Sequence, residues 1–207
     1  MKIFCIAEAF ILVFALLLAV LRSLPGPVFF PVRALAIAYA DFFRGVPTIL
    51  VIALLGFGAP ALAIEGVPTS TTFWGVVSLV LIYTAYVSEV YRAGIESVHP
   101  SQEAAARSLG LTRGQALTSV VLPQAVRRVI PPLLNDFIGL QKDTALVGIL
   151  GSVEAFKQSQ IEVSADFNFT HYLVAATLFV AITIPLARFT DWLVARDRRR
   201  RLAGALT

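Results

Sequence analysis

The chain has 207 residues, of which 57% are hydrophobic and only 14% charged, with a net charge of +4 and a mean hydropathy of +0.80. Ordinary globular chains carry roughly a quarter charged residues, and a chain this short has too little interior to hide so many apolar side chains. That excludes a soluble enzyme and a disordered regulator; the single cysteine, Cys5, excludes a disulfide scaffold, and lipid remains as the solvent for a polytopic membrane protein.

At roughly 20 residues per crossing, five spans are expected. The first covers 3–21, broken only by Glu8 and ended by Arg22. It is too long for the apolar core of a signal peptide and has no small-x-small cleavage site before Arg22, so it is a membrane helix. The second lies in 32–57 and is interrupted by Asp41, Arg44, Gly45 and Pro47, with Asp41 and Arg44 placed to pair at i, i+3. The third is 73–90, the fourth 129–150 and unusually polar, the fifth 172–194. The basic residues decide the orientation. Arg22 and Arg33 fall before the second span. Arg92, Arg107, Arg113, Arg127 and Arg128 fall between the third and fourth, and Arg188, Arg196 and Arg198 to Arg201 at the end. Five crossings put all three groups on one face, the cytoplasmic one, with the N-terminus outside and the C-terminus inside. The terminal Arg run fits a stop-transfer anchor that meets anionic lipid.

Between the third and fourth spans lies the longest polar segment, 94–128. Ser101 after Pro100 is placed to cap a helix over Gln102 to Leu109, with Glu103 in its first turn and Ala104, Ala105 and Ala106 as strong helix formers. Gly110 suits the position after the helix end, where a positive φ is wanted. Thr112 and Gln115 form a capping box for a second helix, which is expected to run to about Val121 and stop before Pro123. A DNA-binding helix–turn–helix would need a third helix for its core. Here both flanks run straight into spans, which leaves a short helix on the membrane face, presenting Ala and Leu109, Leu111 and Leu117 to a cytoplasmic partner. His99 beside Pro100 is a turn residue. The chain carries no Walker-type phosphate loop, no dinucleotide fingerprint and no nucleophile–base set, so it does not hydrolyse ATP by itself.

The run Gln102-Glu103-Ala104-Ala105-Ala106-Arg107-Ser108-Leu109-Gly110, followed by Val120-Val121-Leu122-Pro123-Gln124-Ala125, resembles the "EAA" loop of type I ATP-binding-cassette importer membrane subunits. Arg44-Gly45-Val46-Pro47, Ala85-Tyr86-x-x-Glu89-x-x-Arg92-x-Gly94 and Asn135 to Leu146 resemble the polar amino acid branch of that family, and the likeness runs over about residues 15 to 195. The family's motif Glu falls on Ala104, with Glu103 one place early and about 100° round the helix; Val46 and Ala145 replace a Thr and a Ser. The chain starts inside the family's first helix, which leaves an upstream start codon as one reading.

The resemblance implies an all-α permease fold in one transmembrane domain over 1–207 of the plasma (inner) membrane, not itself an enzyme and without a cofactor of its own. ATP would be bound by a partner ATPase. Glu103, Ala104, Ala105, Ala106, Leu109, Gly110, Leu122 and Pro123 would belong to the loop that couples to it. A second permease subunit, identical or similar, and an extracytoplasmic solute-binding protein would complete the importer.

The polar fourth span is the remaining puzzle. Asn135, Gly139 and Lys142 share one helical face, with Asp136 and Asp143 beside them, and each Lys or Asp at mid-membrane costs roughly 2.5–3.5 kcal/mol. Besides a location of these residues at the membrane interface, two readings stay open. In one, Glu89 and Asp143 hold a solute's ammonium, Lys142 its carboxylate, Thr144 donates a hydrogen bond and Tyr86 lines the path. In the other, Lys142 pairs with Asp143, Asp136 or Glu89 and merely locks helices. Two other functions remain alternatives: a membrane-anchored docking protein, which has no use for Lys142 and Asp143 in lipid, and a proton-coupled carrier, which has no use for the loop.

Overall fold

The computed structural model describes residues 2–24 and 26–204, with the side chains of Arg198 and of residues 200–204 outside the description. The expectation for the terminal arginines therefore falls largely outside the described side chains. The elements in order are α1 (Lys2–Ser23), α2 (Phe30–Gly45), α3 (Thr48–Ala53), a π turn (Leu54–Gly58), α4 (Ala59–Ala61) and α5 (Thr71–Glu96). They are followed by α6 (Pro100–Ser108), α7 (Arg113–Ala116), a second π turn (Leu117–Val121), α8 (Leu122–Asp143), a 3₁₀ stretch (Thr144–Leu150), α9 (Ala155–Asp166) and α10 (Thr170–Gly204). No strand occurs among the described residues.

α1 has neither Gly nor Pro, and its buried residues Phe4, Ala7, Ile11, Ala15 and Leu18 recur at helical spacing on one face. That face packs into a core with Leu79, Ile82, Tyr83 and Val87 of α5, Val51 and Ile52 of α3 and Leu140 of α8. The opposite face of α1 leaves Ile6, Phe10, Phe14 and Leu17 exposed, an arrangement that only lipid or another helix satisfies.

Among the described residues, three helices are long and apolar enough to cross a membrane: Lys2–Ser23, Thr71–Glu96 and Thr170–Asp197. The expected second span is a broken one, Phe30–Gly45 and Thr48–Ala61 meeting at 102°. The break sits at Gly45-Val46-Pro47, as the sequence suggested. Pro47 lacks an N–H and pushes the residue before it out of the helical region, and Val46 is extended at φ −94°, ψ 132°. The expected fourth span, 129–150, is not one apolar helix. It is the end of α8, which carries Asn135, Asp136, Gln141, Lys142 and Asp143, followed by the 3₁₀ stretch. Those polar side chains keep it from qualifying by composition, although its buried residues Leu140, Val147 and Leu150 pack in the same core as α1 and α5.

Glycines let the helices approach closely. A Cβ at Gly94 of α5 would collide with Val129 Cγ2 of α8 and come within 3.5 Å of the Ala125 carbonyl oxygen. Overpacking of this kind costs typically 1–3 kcal/mol. Gly94→Ala is therefore expected to lower the thermal midpoint of the purified protein, and Val129→Ala in the same chain to restore part of the loss; a G94A midpoint equal to wild type would refute this contact.

At the far end, α9 is capped by Glu154, whose carboxylate accepts from the Phe156 N–H at 2.8 Å and the Lys157 N–H at 2.6 Å. It joins α10 through His171 Nε2 and Asp166 Oδ2, 2.9 Å apart, and this contact with the Asn168 N–H holds the Asp166 carboxyl below its usual range.

Candidate functional site: a coupling loop and a polar helix face

The loop begins after α5. α6 starts at Pro100, one residue before Ser101, and its N-cap is His99, whose Nδ1 accepts from the Ser101 N–H at 3.2 Å. Ser101 therefore is not the cap. Pro at the first helical position needs no N–H partner, which lets the helix begin there. α6 ends as expected. Gly110 has φ +90°, its N–H bonds to Arg107 O at 3.0 Å, and the Leu111 N–H reaches back to Ala106 O at 3.3 Å. These two bonds define a Schellman motif. The capping box is also present: the Gln115 N–H donates to Thr112 Oγ1 and the Thr112 N–H to Gln115 Oε1, at 3.3 and 2.9 Å.

The second loop helix does not stop before Pro123. α7 passes through the π turn, in which the Leu122 N–H bonds to Leu117 O, and continues as α8. A proline's ring clashes with the carbonyl four residues earlier, and the wider turn moves that carbonyl aside. The loop is held to the bundle by a small core of Val98, Val121 and Ala125, and Arg128 donates to the Ser97 carbonyl.

The outward side of the loop is Ala104, Ala105, Leu109, Gly110, Leu122 and Pro123, all exposed, with Leu109 at 82%. Ala106 is buried. Glu103 turns to Arg113, 3.6 Å away. Its carboxylate thus ties α6 to α7, and the position the family motif gives to Glu is the exposed methyl of Ala104.

Along α5 and α8 the structure separates residues the sequence grouped. Glu89 is occupied by arginines: Arg22 Nη1 of α1 lies 2.7 Å away, Arg44 Nη1 of α2 3.8 Å, and Arg92 donates to it from its own helix while also pairing with Glu96. The Arg22 side chain is only 9% exposed. Arg44 thus turns to Glu89 rather than to Asp41. Tyr86 is 37% exposed and its OH donates to the Arg44 carbonyl at 3.4 Å. Tyr86 and Glu89 belong to this joint between the ends of α1, α2 and α5.

Lys142, Asp143 and Thr144 lie at the other end of α8. Tyr83 OH donates to Asp143 Oδ2 at 3.0 Å. Gly139 makes that reach possible, since a Cβ there would stand 3.1 Å from the Tyr83 hydroxyl. Thr144 donates to the Gln141 carbonyl at 2.7 Å, and the buried Gln141 accepts from Thr183 of α10 at 3.3 Å. Lys142 is exposed and has no carboxylate partner among the described residues, so the helix-locking pair with Asp143, Asp136 or Glu89 is not formed. Asn135, two turns before it, is exposed too, while Asp136 Oδ2 is buried without a hydrogen-bond partner. Gln141, Thr144 and Glu154 border a cavity of about 220 Å³, closed on its apolar side by Phe4, Leu178, Phe179 and Ile182.

Sequence reasoning missed Tyr83, Gln141 and Glu154. Tyr83 and Tyr86 are one turn apart on α5, which is a local signal. Nothing in the sequence pairs Tyr83 with a glycine 56 places on.

Known proteins place the chain. The family described as binding-protein-dependent transport system inner membrane component matches residues 11–201. A probable glutamine ABC transporter permease protein, GlnM, of Bacillus subtilis is 35% identical over 172 residues, 82% of this chain and 77% of that protein. A probable amino-acid ABC transporter permease protein, PatM, of Vibrio harveyi is 34% identical over 188 residues, 90% of this chain and 83% of that one. Among solved structures, an amino acid ABC transporter crystallised with histidines superposes with a TM-score of 0.83 at 28% identity, covering 94% of this chain and 89% of that one.

Proposed function

The chain belongs to the family of binding-protein-dependent transport system inner membrane components, and on that premise we propose that it is the permease subunit of an ATP-driven importer for polar amino acids or a similar small zwitterion. The observation that carries the reading is the loop. A short helix with both ends capped, braced on a core of Val98, Val121 and Ala125, transmits a rigid-body shift where a flexible segment would not. It presents Ala104, Ala105, Leu109 and Gly110 to a cytoplasmic ATPase. ATP-driven closure of two such ATPases would move the loops and rock the spans.

The family and the exposed polar face of α8 support the reading of the partners. Exposed Asn135 and Lys142 on a helix packed among apolar spans call for a second permease subunit, identical or similar, or for a water-filled path between two copies. A separate solute-binding protein would deliver the solute at the outer face. The basic segments put the loop and the C-terminus in the cytoplasm and the N-terminus outside, in the inner membrane.

Lys142, Asp143 and Thr144 are the residues of this chain placed to meet a zwitterion: Lys142 is free to take its carboxylate, and Asp143, oriented by Tyr83, its ammonium. Glu89 and Tyr86 support the path indirectly, by joining α1, α2 and α5.

The test has two stages. A tagged chain purified in mild detergent should bring down, in about equal amount, a subunit bearing a Walker A sequence; a chain that purifies alone from cells making that subunit overturns the importer reading. The reconstituted complex should then show ATP hydrolysis stimulated by a polar amino acid with its binding protein. Asp143→Asn should lower that stimulation about tenfold, the size of one lost charge-assisted hydrogen bond of roughly 1.5 kcal/mol, while basal hydrolysis stays intact. Unchanged stimulation in this variant would remove Asp143 from the path.

A further inference from the structure

A second polar cleft lies away from the solute path, between α8 and α10. It measures about 220 Å³ and is lined by Arg127, Ile130 and Pro131 of α8 and Leu193, Arg196 and Asp197 of α10. By a water's share of roughly 30 Å³ in the liquid, that is room for about seven waters. Its lining is of two kinds: the charged Arg127, Arg196 and Asp197, and the apolar Ile130, Pro131 and Leu193. Neither Arg127 nor Arg196 is ion-paired to a carboxylate among the described residues. Two arginines stand against one aspartate, Asp197, which has an interaction of its own, so the lining carries a net positive charge.

The surroundings give the cleft its depth. Arg196 lies over the Trp192 ring at 5.1 Å, and Trp192 stacks on Phe189 with centroids 5.9 Å apart, both rings about half exposed. The amphipathic ring of a Trp such as Trp192 collects at the boundary between acyl chains and headgroups. A cleft at that depth, lined by both arginines and aliphatic side chains, matches a group that is anionic at one end and apolar at the next.

We propose that the cleft between α8 and α10 binds the phosphate of an anionic phospholipid through Arg127 and Arg196, with the first part of the acyl region lying along Ile130, Pro131 and Leu193. Arg is suited to this because its planar fork meets two phosphate oxygens at once. Because α8 continues directly from the coupling loop through α7, a lipid seated here would brace the lever that carries the ATPase's movement to α10. The assignment of the cytoplasmic leaflet rests on the orientation proposed above; the binding chemistry does not.

The test is native mass spectrometry of the purified complex in detergent, titrated with phosphatidylglycerol, phosphatidylcholine or inorganic phosphate. Phosphatidylglycerol should bind at one saturable site per chain, at least tenfold more tightly than phosphatidylcholine. In Arg127→Gln/Arg196→Gln that site should weaken roughly 30-fold, whereas Arg188→Gln, on α10 but outside the cleft, should leave it unchanged. Equal affinity for phosphatidylcholine, or an unaltered site in the double variant, overturns the proposal. Displacement of the lipid by millimolar phosphate would make this a free-anion site and overturn the lipid assignment. Loss of the ATPase subunit in the double variant, with lipid binding intact, would make it a protein contact instead. Detergent micelles have no leaflets, so failure here leaves the orientation standing. Conversely, a reversed orientation, found by labelling introduced cysteines, leaves the cleft standing and changes only its leaflet.

Discussion

Gly110→Val should abolish most of the recovery of an ATPase subunit with the purified chain while the chain still inserts and accumulates. Gly110 sits at φ +90° and no atom lies within 4 Å of where its Cβ would be. The cost is therefore purely conformational. A left-handed backbone costs an L residue roughly 1–2 kcal/mol, and more when the side chain is β-branched. Since 1.4 kcal/mol is a factor of ten, the Schellman turn that ends α6 should be populated about tenfold less or worse. With it go the direction of Leu111 and the exposed presentation of Leu109. Gly110→Asn separates this cause from a steric one, because Asn tolerates the left-handed region; it should recover much of the binding. Equal ATPase recovery from the Val variant and wild type would show that the turn does not position the docking surface.

The second large effect is expected at Glu89. Its carboxylate is shared by Arg22, Arg44 and Arg92, and the Arg22 side chain is 9% exposed. Glu89→Gln leaves Arg22 charged and desolvated without a counter-charge. Breaking a buried pair from one side costs about 3–5 kcal/mol, and the 23% exposure of Glu89 places this site at the lower end. The variant should lose a large share of its denaturation midpoint. Arg22→Met added to Glu89→Gln should regain part of it, since both partners are then apolar or neutral. If Glu89→Gln keeps wild-type stability but loses solute stimulation, Glu89 belongs to the solute path and not to the joint between helices.

Much of this protein was legible before any coordinates. The membrane character follows from composition alone, since 57% hydrophobic residues exceed what so short a chain can bury. The break at Gly45-Val46-Pro47, the capping box at Thr112 and Gln115, and the left-handed Gly110 were legible because each depends on backbone chemistry within a few residues. The loop motif identified the family for the same reason: its spacing is local. The cap at His99 and the passage of the helix through Pro123 were misjudged by a few residues, where a neighbouring proline and a π turn shift the hydrogen bonds.

What the sequence left open was which charges meet. Glu89 and Arg22 are 67 places apart, and Tyr83 and Asp143 are 60 apart; no periodicity relates such positions. Spacing placed Glu89, Lys142 and Asp143 together as candidates because all three are costly in lipid, and any pairing among them would relieve that cost. Packing chose otherwise. The ends of α1 and α2 bring arginines to Glu89, and Gly139 opens the way for Tyr83 to reach Asp143. A helix's own turns are decided by neighbours three and four residues away, so the sequence by itself determined the spans' character, the kink and the loop. The partners of buried charges are decided by which helices cross and how closely, and only the tertiary structure contains that.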